Sequence, residues 1–255
     1  DRSKLPEVHK VALPNETNIP RNFWMTMKTI PDSYEKLDYN IQEVIKNNPD
    51  WMIHLINDTE MYRFMNVTFA NTSLLWAFYQ IHPLLMAGRA DIWRMAVLWR
   101  YGGVYLDADS ALRKPLSQTL HGEDRMVLAA ERNVYHNPFH PNETLSEVIA
   151  TNHFGKYILV QWCMVSEPYH PILTRFLEYV VHAVRQQFMK KIFFKDDITG
   201  PSRLLCTTGP RMFSTAVYEE IRVNPDVSFR NGDFNYAALS AKFKAFQTPD
   251  HSQHY

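Results

Sequence analysis

The chain has 255 residues, of which 45% are hydrophobic, and it carries 27 basic and 27 acidic side chains. This length and composition exclude disordered and fibrous proteins and predict one buried core in a single domain. The formal net charge of zero gives no overall field that would attract nucleic acid or an anionic membrane, so we expect a small or neutral partner and no nucleic acid.

Predicted strands and helices alternate in the first part of the chain. Residues 1–18 are polar and interrupted by prolines, which predicts an extended lead-in before a single domain over 19–255. In chain order the next predicted elements are a strand over 19–27, a helix over 32–47, a strand over 51–58 and a helix over 58–65 that Asp58 or Thr59 caps. Two β–α units therefore open the domain.

The longest amphipathic stretch runs over 74–101, with an interruption at Pro83. Gly102 and Gly103 then provide the expected helix stop. The remaining predicted elements are strands over 104–106, 125–130 and 157–165 and helices over 172–190 and 212–221. Alternating strands and helices predict an α/β fold with helices packed on a sheet, and we find no internal repeat or domain boundary.

Five N-glycosylation sequons suggest a secretory lumen, although each alone is a weak signal. They begin at Asn15, Asn57, Asn66, Asn71 and Asn142. No apolar run approaches the roughly 18 residues that a membrane span needs, and no signal-like segment follows Asp1. We therefore expect any membrane anchor to lie upstream of this chain.

The two cysteines, Cys163 and Cys206, lack the C-x-x-C spacing of a structural zinc site. In an oxidising lumen they either form a disulfide or remain free thiols, and the sequence leaves both readings open.

Charged residues within an otherwise apolar helix–turn–strand mark the chemistry, over 89–109. Asp91 and Arg94 are three residues apart on the predicted helix and share a face, so they can pair or point together at a polar ligand. The short strand then delivers Asp107 and Asp109 at its carboxyl end, where ligands of open α/β sheets bind.

Asp107 and Asp109 are separated by one small residue and converge on one side of an extended strand. Such a pair suits a hard divalent cation, Mn²⁺ or Mg²⁺, that also binds phosphate oxygens and water. A calcium loop of the EF-hand type is a poor fit, because Leu112 occupies the sixth position, where glycine is needed. Taken alone, the pair is weak evidence for a metal site, because a helix N-cap and a surface carboxylate beside Arg113 and Lys114 explain it more simply.

With the surrounding residues included, the chain resembles glycosyltransferase family 32, which is typified by the yeast initiating α-1,6-mannosyltransferase. The family is also similar to the sugar-transferring domains of large clostridial toxins. The resemblance covers roughly residues 19–255, and the segments that carry it are 19–26, 89–109, 161–171 and 208–213.

The resemblance implies a GT-A fold, a Rossmann-like mixed sheet flanked by helices. It also implies a retaining transfer of a hexose from a nucleotide sugar, dependent on Mn²⁺ or Mg²⁺, to a glycan or glycolipid acceptor. We favour mannose from GDP-mannose, with UDP-galactose, UDP-N-acetylglucosamine or UDP-glucose as the alternative donors. Location in the Golgi lumen as a type II membrane protein is expected, with possible membership of a Golgi transferase complex.

By position, the resemblance makes Asp109 the direct metal ligand and Asp107 the carboxylate that serves the donor and metal-bound water. Asp91 and Arg94 correspond to residues that hydrogen-bond the donor hexose, and Tyr105 is a weaker correspondence. The sequence contains Thr-Gly-Pro twice, at 199–201 and 208–210, and we assign the family motif to the second because a predicted helix follows it. The other residues placed in the donor and metal site are Phe23, Trp24 and Thr26 for the nucleotide base, Gly209 and Pro210 of the second Thr-Gly-Pro, and His251 and His254 as candidates for a third metal ligand.

Simpler readings stay open for several of these residues. Trp24 is also consistent with plain core packing, and His251 and His254 with a frayed polar tail. Gln161 and His170 are consistent either with function or with a strand edge and a turn. At the level of the whole chain, the alternatives are a non-catalytic scaffold relative and a metal-dependent phosphoesterase, which would need a second carboxylate or histidine cluster that we do not find in the sequence.

Overall fold

The computed structural model describes residues 18–112, 114–129, 159–189, 206–231 and 238–240. The predicted lead-in up to residue 17, the sequons at Asn15 and Asn142, and the two histidines His251 and His254 lie outside the described residues. None of the described helices is both long enough and apolar enough to cross a membrane.

Eight strands and six α-helices, numbered in chain order, make up the described part of the fold. They are β1 (Asn22–Thr26), α1 (Tyr39–Asn47), β2 (Met52–Ile56), α2 (Asp58–Thr68), α3 (Ser73–Gln80), α4 (Met86–Tyr101), β3 (Gly103–Leu106), β4 (Ser110–Leu112), β5 (Met126–Leu128), β6 (Cys163–Ser166), α5 (Pro171–Met189), α6 (Pro210–Val223), β7 (Arg230–Asn231) and β8 (Ala238–Ser240). Short 3₁₀ turns occur at Tyr34–Lys36 and Leu116–Gln118.

Six strands form one mixed sheet in the order β2-β1-β3-β6-β5-β7. Strands β2, β1 and β3 are parallel to one another, and β5 is parallel to β7, whereas β6 runs antiparallel to both of its neighbours. A separate two-stranded sheet pairs β4 with β8. This topology confirms the predicted mixed sheet flanked by helices.

Both faces of the sheet are buried, as the alternation along β1 illustrates. Trp24 points into the larger core with α2, α3, α4, α5 and α6, whereas Phe23 and Met25 point into a smaller core that α1 covers. Along β3, Tyr105 likewise faces the larger core and Val104 the smaller one. A strand buried on both faces reads as a continuous apolar run, which is why β1 and β3 stand out in the sequence.

The turn between α4 and β3 requires its two glycines. Gly102 and Gly103 have φ angles of +64° and +106°, and a Cβ at Gly103 would lie 2.2 Å from the carbonyl oxygen of Asn22. Few L-residues adopt this backbone, so the predicted helix stop is confirmed. The carboxyl end of β3 is thereby directed to the edge of the sheet that β1 also reaches.

Several predicted boundaries are wrong. The helix predicted over 32–47 begins only at Tyr39, because Leu37 and Asp38 adopt extended backbone. Helix α2 is capped by Asn57, not by Asp58 or Thr59: the Asn57 side chain accepts the Glu60 N–H, and the Glu60 carboxylate accepts the Asn57 N–H. This reciprocal capping box starts one residue earlier than the prediction.

The strand predicted over 157–165 corresponds to β6, which runs from Cys163 to Ser166, whereas residues 161–162 form a bend. Cys163 is buried, Cys206 is exposed, and neither forms a disulfide. Among the described sequons, Asn66 and Asn71 are exposed, whereas Asn57 is half-buried and engaged in the cap of α2.

Candidate functional site

The two aspartates of the Asp-x-Asp sequence lie just beyond the carboxyl end of β3. The Asp107 N–H donates to the carbonyl of Trp162 at 2.8 Å, which extends the pairing of β3 with the chain preceding β6. The Ser110 N–H donates to the Asp107 carbonyl at 2.9 Å and closes a tight turn around Asp109. The Asp109 side chain is exposed, and that of Asp107 is 31% exposed.

Arg94, from the middle of α4, connects the predicted site residues. Its Nη2 lies 3.2 Å from Asp91 and 3.4 Å from Asp107, so one guanidinium bridges the two carboxylates. Its Nη1 donates to the Gln161 carbonyl at 3.0 Å, and its Cζ lies 4.7 Å from the ring centroid of Tyr105. Arg94 is 9% exposed, so this arrangement is almost entirely within the protein.

Tyr105 links β1 to the aspartate pair. Its hydroxyl donates to Oδ1 of Asp107 at 2.7 Å and lies 3.1 Å from Oγ1 of Thr26. Since β1 and β3 are adjacent and parallel, with Trp24 opposite Tyr105 in register, Thr26 reaches the same edge as Asp107. The predicted residues Thr26, Tyr105 and Asp107 therefore form one hydrogen-bonded chain.

The segment that precedes α6 completes the site on the other side. Thr208 Oγ1 donates to Oδ2 of Asp91 at 3.1 Å, and the Gln161 side chain donates to the Thr208 carbonyl at 3.1 Å. Both residues are buried, and no described residue donates a hydrogen bond to Oε1 of Gln161 or accepts one from Nε of Arg94. Asp91, Arg94, Gln161 and Thr208 thus form a closed ring of polar contacts beside Asp107.

Comparison with known proteins reaches the same residues. Residues 34–127, which include Asp91, Arg94 and both aspartates of the pair, match the family described as the glycosyltransferase sugar-binding region containing the DXD motif. Residues 34–127 of this chain are thus similar to the sugar-binding region of the DXD-containing glycosyltransferases. The match confirms the resemblance seen in the sequence, and the matched range contains the Asp-x-Asp sequence of Asp107 and Asp109, which we call the DXD pair.

Two relatives extend the comparison beyond the DXD region. The initiation-specific α-1,6-mannosyltransferase of Candida albicans is 23% identical over 227 residues, which cover 83% of this chain and 56% of that protein. The chain therefore spans little more than half the length of this curated relative. The solved structure of the PaToxG glycosyltransferase has 19% identity and a TM-score of 0.52, covering 94% of this chain and 83% of that one. That structural similarity confirms the GT-A fold.

Burial and neighbouring charges shift the pKa values of the ionisable residues beside the DXD pair. Burial raises the pKa of Asp91 to about 6, and Arg94 and the Thr208 hydrogen bond offset part of that effect. Burial on its own lowers the pKa of Arg94, but the negative charges of Asp107, Asp91 and Asp109 oppose this effect, and the pKa is raised overall. Arg94 is therefore a permanent cation within this site.

Burial, reinforced by the charge of Asp107, also raises the pKa of the Tyr105 phenol. Its hydroxyl therefore stays protonated at neutral pH and serves Asp107 as a hydrogen-bond donor. Oδ1 of Asp107 receives this hydroxyl and also faces Arg94, whereas the described residues make no hydrogen bond to Oδ2.

The DXD carboxylates fit a hard divalent cation. Oδ2 of Asp107 is without a described partner, and the exposed Asp109 receives only the Ser110 hydroxyl, at 3.4 Å, from the described residues. Within those residues, no group of three or more His, Cys, Asp or Glu side chains could hold a metal alone. Two carboxylates with phosphate and water completing the coordination are typical of Mg²⁺ and related ions at nucleotide sites.

The structure gives two of the predicted base-binding residues a different role. Trp24 is fully buried: it stacks on His54 at 4.0 Å between ring centroids and donates to the Gly102 carbonyl at 3.0 Å. Phe23 is fully buried in the opposite core. Neither ring presents a face to a ligand, so only Thr26 of this predicted set reaches the site edge.

Gly209 and Pro210 are the N-cap and first residue of α6, directly after Thr208.

Two residues that contribute to the site, Thr208 and Asn40, were not predicted from the sequence. Thr208 begins the second Thr-Gly-Pro, from which only Gly209 and Pro210 were predicted as site residues. Asn40 lies on the buried stripe of α1 with Ile41 and Val44, where an asparagine is unexpected, and that mismatch was the available signal.

Proposed function

We propose that this protein is a divalent-metal-dependent glycosyltransferase that moves a hexose from a nucleotide-sugar donor to a glycan or glycolipid acceptor. The observation that carries the proposal is the bridge that Arg94 makes between Asp91 and the DXD residue Asp107 at the carboxyl end of β3. It joins the candidate sugar-binding pair to the candidate metal ligands within one polar cluster.

Asp109 and Asp107 would hold Mn²⁺ or Mg²⁺, which neutralises the charge that develops on a leaving diphosphate. Tyr105 and Arg94 orient Asp107 by occupying its Oδ1, which leaves Oδ2 available for the cation or its water. His251 and His254 stay predictions as further ligands, because they lie outside the described residues.

Asp91 and Arg94 are proposed to bind the hydroxyls of the donor hexose. An ionised carboxylate accepts and a guanidinium donates, so together they recognise two neighbouring hydroxyl groups with opposite hydrogen-bond polarity. Thr208 and the Gln161 carbonyl fix the two side chains in this orientation. Positioning of this kind, together with charge stabilisation, supplies the rate in transfer reactions that lack a covalent step.

For the stereochemistry, we propose retention by front-face substitution, in which the acceptor hydroxyl attacks beside the departing phosphate and gives that phosphate its proton. Asp91 is the nearest carboxylate to the DXD pair along the Arg94 bridge, and Arg94 and Thr208 already occupy its oxygens. A covalent route through an aspartate is the alternative. A sugar trapped on the protein would contradict the front-face proposal.

Mannose from GDP-mannose is the proposed donor, and the support is the Candida albicans relative named as an α-1,6-mannosyltransferase. A UDP-linked galactose, N-acetylglucosamine or glucose is the alternative. Location in the Golgi lumen behind a type II anchor, and membership of a transferase complex there, are proposals that rest on the same relationship and on the sequons.

A donor panel tests the proposal. GDP-mannose, UDP-galactose, UDP-N-acetylglucosamine and UDP-glucose are incubated separately with the protein, and release of GDP or UDP is measured with Mn²⁺, with EDTA, and after Mn²⁺ is restored. We expect release from one donor, loss with EDTA and recovery with Mn²⁺. Absence of release and of nucleotide binding for every donor would contradict the proposal and favour a non-catalytic relative.

A further inference from the structure

Asn40 makes an unusual pair of contacts with the DXD turn. It is the second residue of α1 and is 5% exposed. Its Nδ2 donates to the carbonyl of Ala108 at 2.6 Å and to that of Ser110 at 2.7 Å. A side-chain amide nitrogen carries two N–H groups, so these two carbonyls use its full donor capacity.

The two carbonyls flank Asp109 on either side. The same turn is held to the chain preceding β6 by the hydrogen bond from the Asp107 N–H to the Trp162 carbonyl, and internally by the one from the Ser110 N–H to the Asp107 carbonyl. By contrast, the Asp109 carboxylate receives from the described residues only the Ser110 hydroxyl, at 3.4 Å. The position of this carboxylate therefore depends on its backbone, and Asn40 is the side chain that fixes the backbone on both sides of it.

We propose that Asn40 is the positioning residue for Asp109: it holds the DXD turn so that both aspartates converge on one cation. The inference rests on the proposed metal-dependent function. Residues that orient metal ligands from outside the coordination shell change metal affinity by roughly 10- to 100-fold when they are replaced. Without Asn40, the carbonyls of Ala108 and Ser110 would each lose the hydrogen bond from its Nδ2. The turn could then relax and move Asp109 away from Asp107 without removing either carboxylate.

Helix α1 offers a matched control, Asn48. It is the C-cap of α1 and is 3% exposed, and it also makes two hydrogen bonds, from Nδ2 to the Val44 carbonyl and from the Leu116 N–H to Oδ1, both at 2.8 Å. Neither bond involves the DXD turn. Asn48→Ala therefore removes an equally buried amide from the same helix but leaves Ala108 and Ser110 in place.

The test measures Mn²⁺ affinity from the electron paramagnetic resonance signal of free Mn²⁺, with saturating GDP and, separately, with saturating UDP. Thermal unfolding without Mn²⁺ is recorded for every variant. We expect Asn40→Ala to weaken Mn²⁺ binding by about 10- to 100-fold and Asn48→Ala to change it by less than about threefold. Asn40→Ser keeps one hydrogen-bond donor and should weaken Mn²⁺ binding by an intermediate amount. This variant provides the test if Asn40→Ala does not fold.

Restored turnover at high Mn²⁺ would support the inference further, because a positioning residue changes metal affinity more than the reaction of the loaded protein. Wild-type Mn²⁺ affinity in the folded Asn40 variants, or an equal loss in Asn48→Ala, would overturn it. If the wild-type protein bound no Mn²⁺ with either nucleotide, the proposed metal-dependent function would fail and the role of Asn40 with it.

Discussion

At the scale of single residues, the site depends on a buried arginine that two carboxylates share. Arg94 contacts Asp91 and Asp107 with the same nitrogen, and its burial makes both contacts sensitive to the charge of either acid. The sequence predicted a shared face for Asp91 and Arg94 because their spacing on a helix requires it. It did not predict the bridge to Asp107, since that contact depends on how α4 packs against β3.

Asp91→Asn tests the electrostatic cost of this arrangement. The pKa of the Asp91 carboxyl is raised from 3.8 to about 6 in the folded state. Between these two pH values the folded protein keeps the Asp91 proton, whereas the unfolded chain has lost it. The stability contribution of Asp91 therefore falls as pH rises from about 4 to 6, by up to about 3 kcal/mol. We expect Asp91→Asn to equal the wild type near pH 4 and to exceed its free energy of unfolding by about 1–3 kcal/mol at pH 7.

The same variant should lose donor binding, because the ionised acceptor for the sugar hydroxyl is gone. In the wild type, kcat/KM should fall as pH drops below about 6, as Asp91 takes up its proton. Urea unfolding at several pH values and donor titrations measure the two effects. Equal stability of variant and wild type across pH 4–7 would contradict the burial of a charged Asp91.

Tyr105→Phe tests how Asp107 is oriented. The substitution removes the hydroxyl that donates to Oδ1 of Asp107 at 2.7 Å but keeps the buried ring beneath Arg94. We expect kcat/KM for the donor to fall roughly tenfold, which corresponds to about 1.4 kcal/mol, with little change in melting temperature. Tyr34→Phe, which removes an exposed hydroxyl bonded to the Gln42 carbonyl, is the matched control and should leave activity unchanged. A full-rate Tyr105→Phe would show that Arg94 alone positions Asp107.

At the scale of elements, the patterns predicted the helices and the five longer or buried strands better than their ends, and they missed the short strands β4, β7 and β8. The apolar spacing over 32–47 continues through Leu37 and Asp38, so periodicity alone cannot reveal their extended backbone. The cap of α2 likewise depends on a reciprocal contact between Asn57 and Glu60, whereas Asp58 and Thr59 are also good caps by composition. The double glycine was unambiguous because few other residues adopt its backbone.

Gly103→Ala tests that turn. The φ angle of +106° and the approach of a new Cβ to within 2.2 Å of the Asn22 carbonyl both oppose any side chain. We expect a loss of at least about 3 kcal/mol in the free energy of unfolding, or failure to fold. Gly122→Ala is the control, because a Cβ there meets no atom within 4 Å. Thermal unfolding of both variants gives the comparison, and equal stability of the two would contradict the described turn.

At the scale of the whole molecule, the site is assembled from segments that are distant in sequence. The Thr208 hydroxyl meets Asp91 across a separation of 117 residues, and Thr26 meets Tyr105 across 79. Local patterns contain no information on such pairings, which is why Thr208 and Asn40 were not predicted. The family resemblance supplied the fold and the residue set, and the strand order β2-β1-β3-β6-β5-β7 explains why these residues meet at one edge.

Burial in the core explains why Trp24, which was predicted to receive the nucleotide base, does not face the site. An aromatic residue near the end of a first strand is compatible with a ligand-facing position or with the core. Trp24 is enclosed between His54 and Tyr101, with ring centroids at 4.0 Å and 5.9 Å, so its role is to support α4 and the Gly102 turn.

If the DXD pair binds a cation on which nucleotide-sugar cleavage depends, replacing one of its carboxylates must abolish that cleavage. Mn²⁺-dependent nucleotide release is measured for the wild type, for Asp109→Asn and for Asp226→Asn, an exposed carboxylate in the turn after α6. We expect a loss of at least about 100-fold for Asp109→Asn and full activity for Asp226→Asn if the cation is required. Release by Asp109→Asn at the wild-type rate and with the wild-type requirement for Mn²⁺ would contradict it.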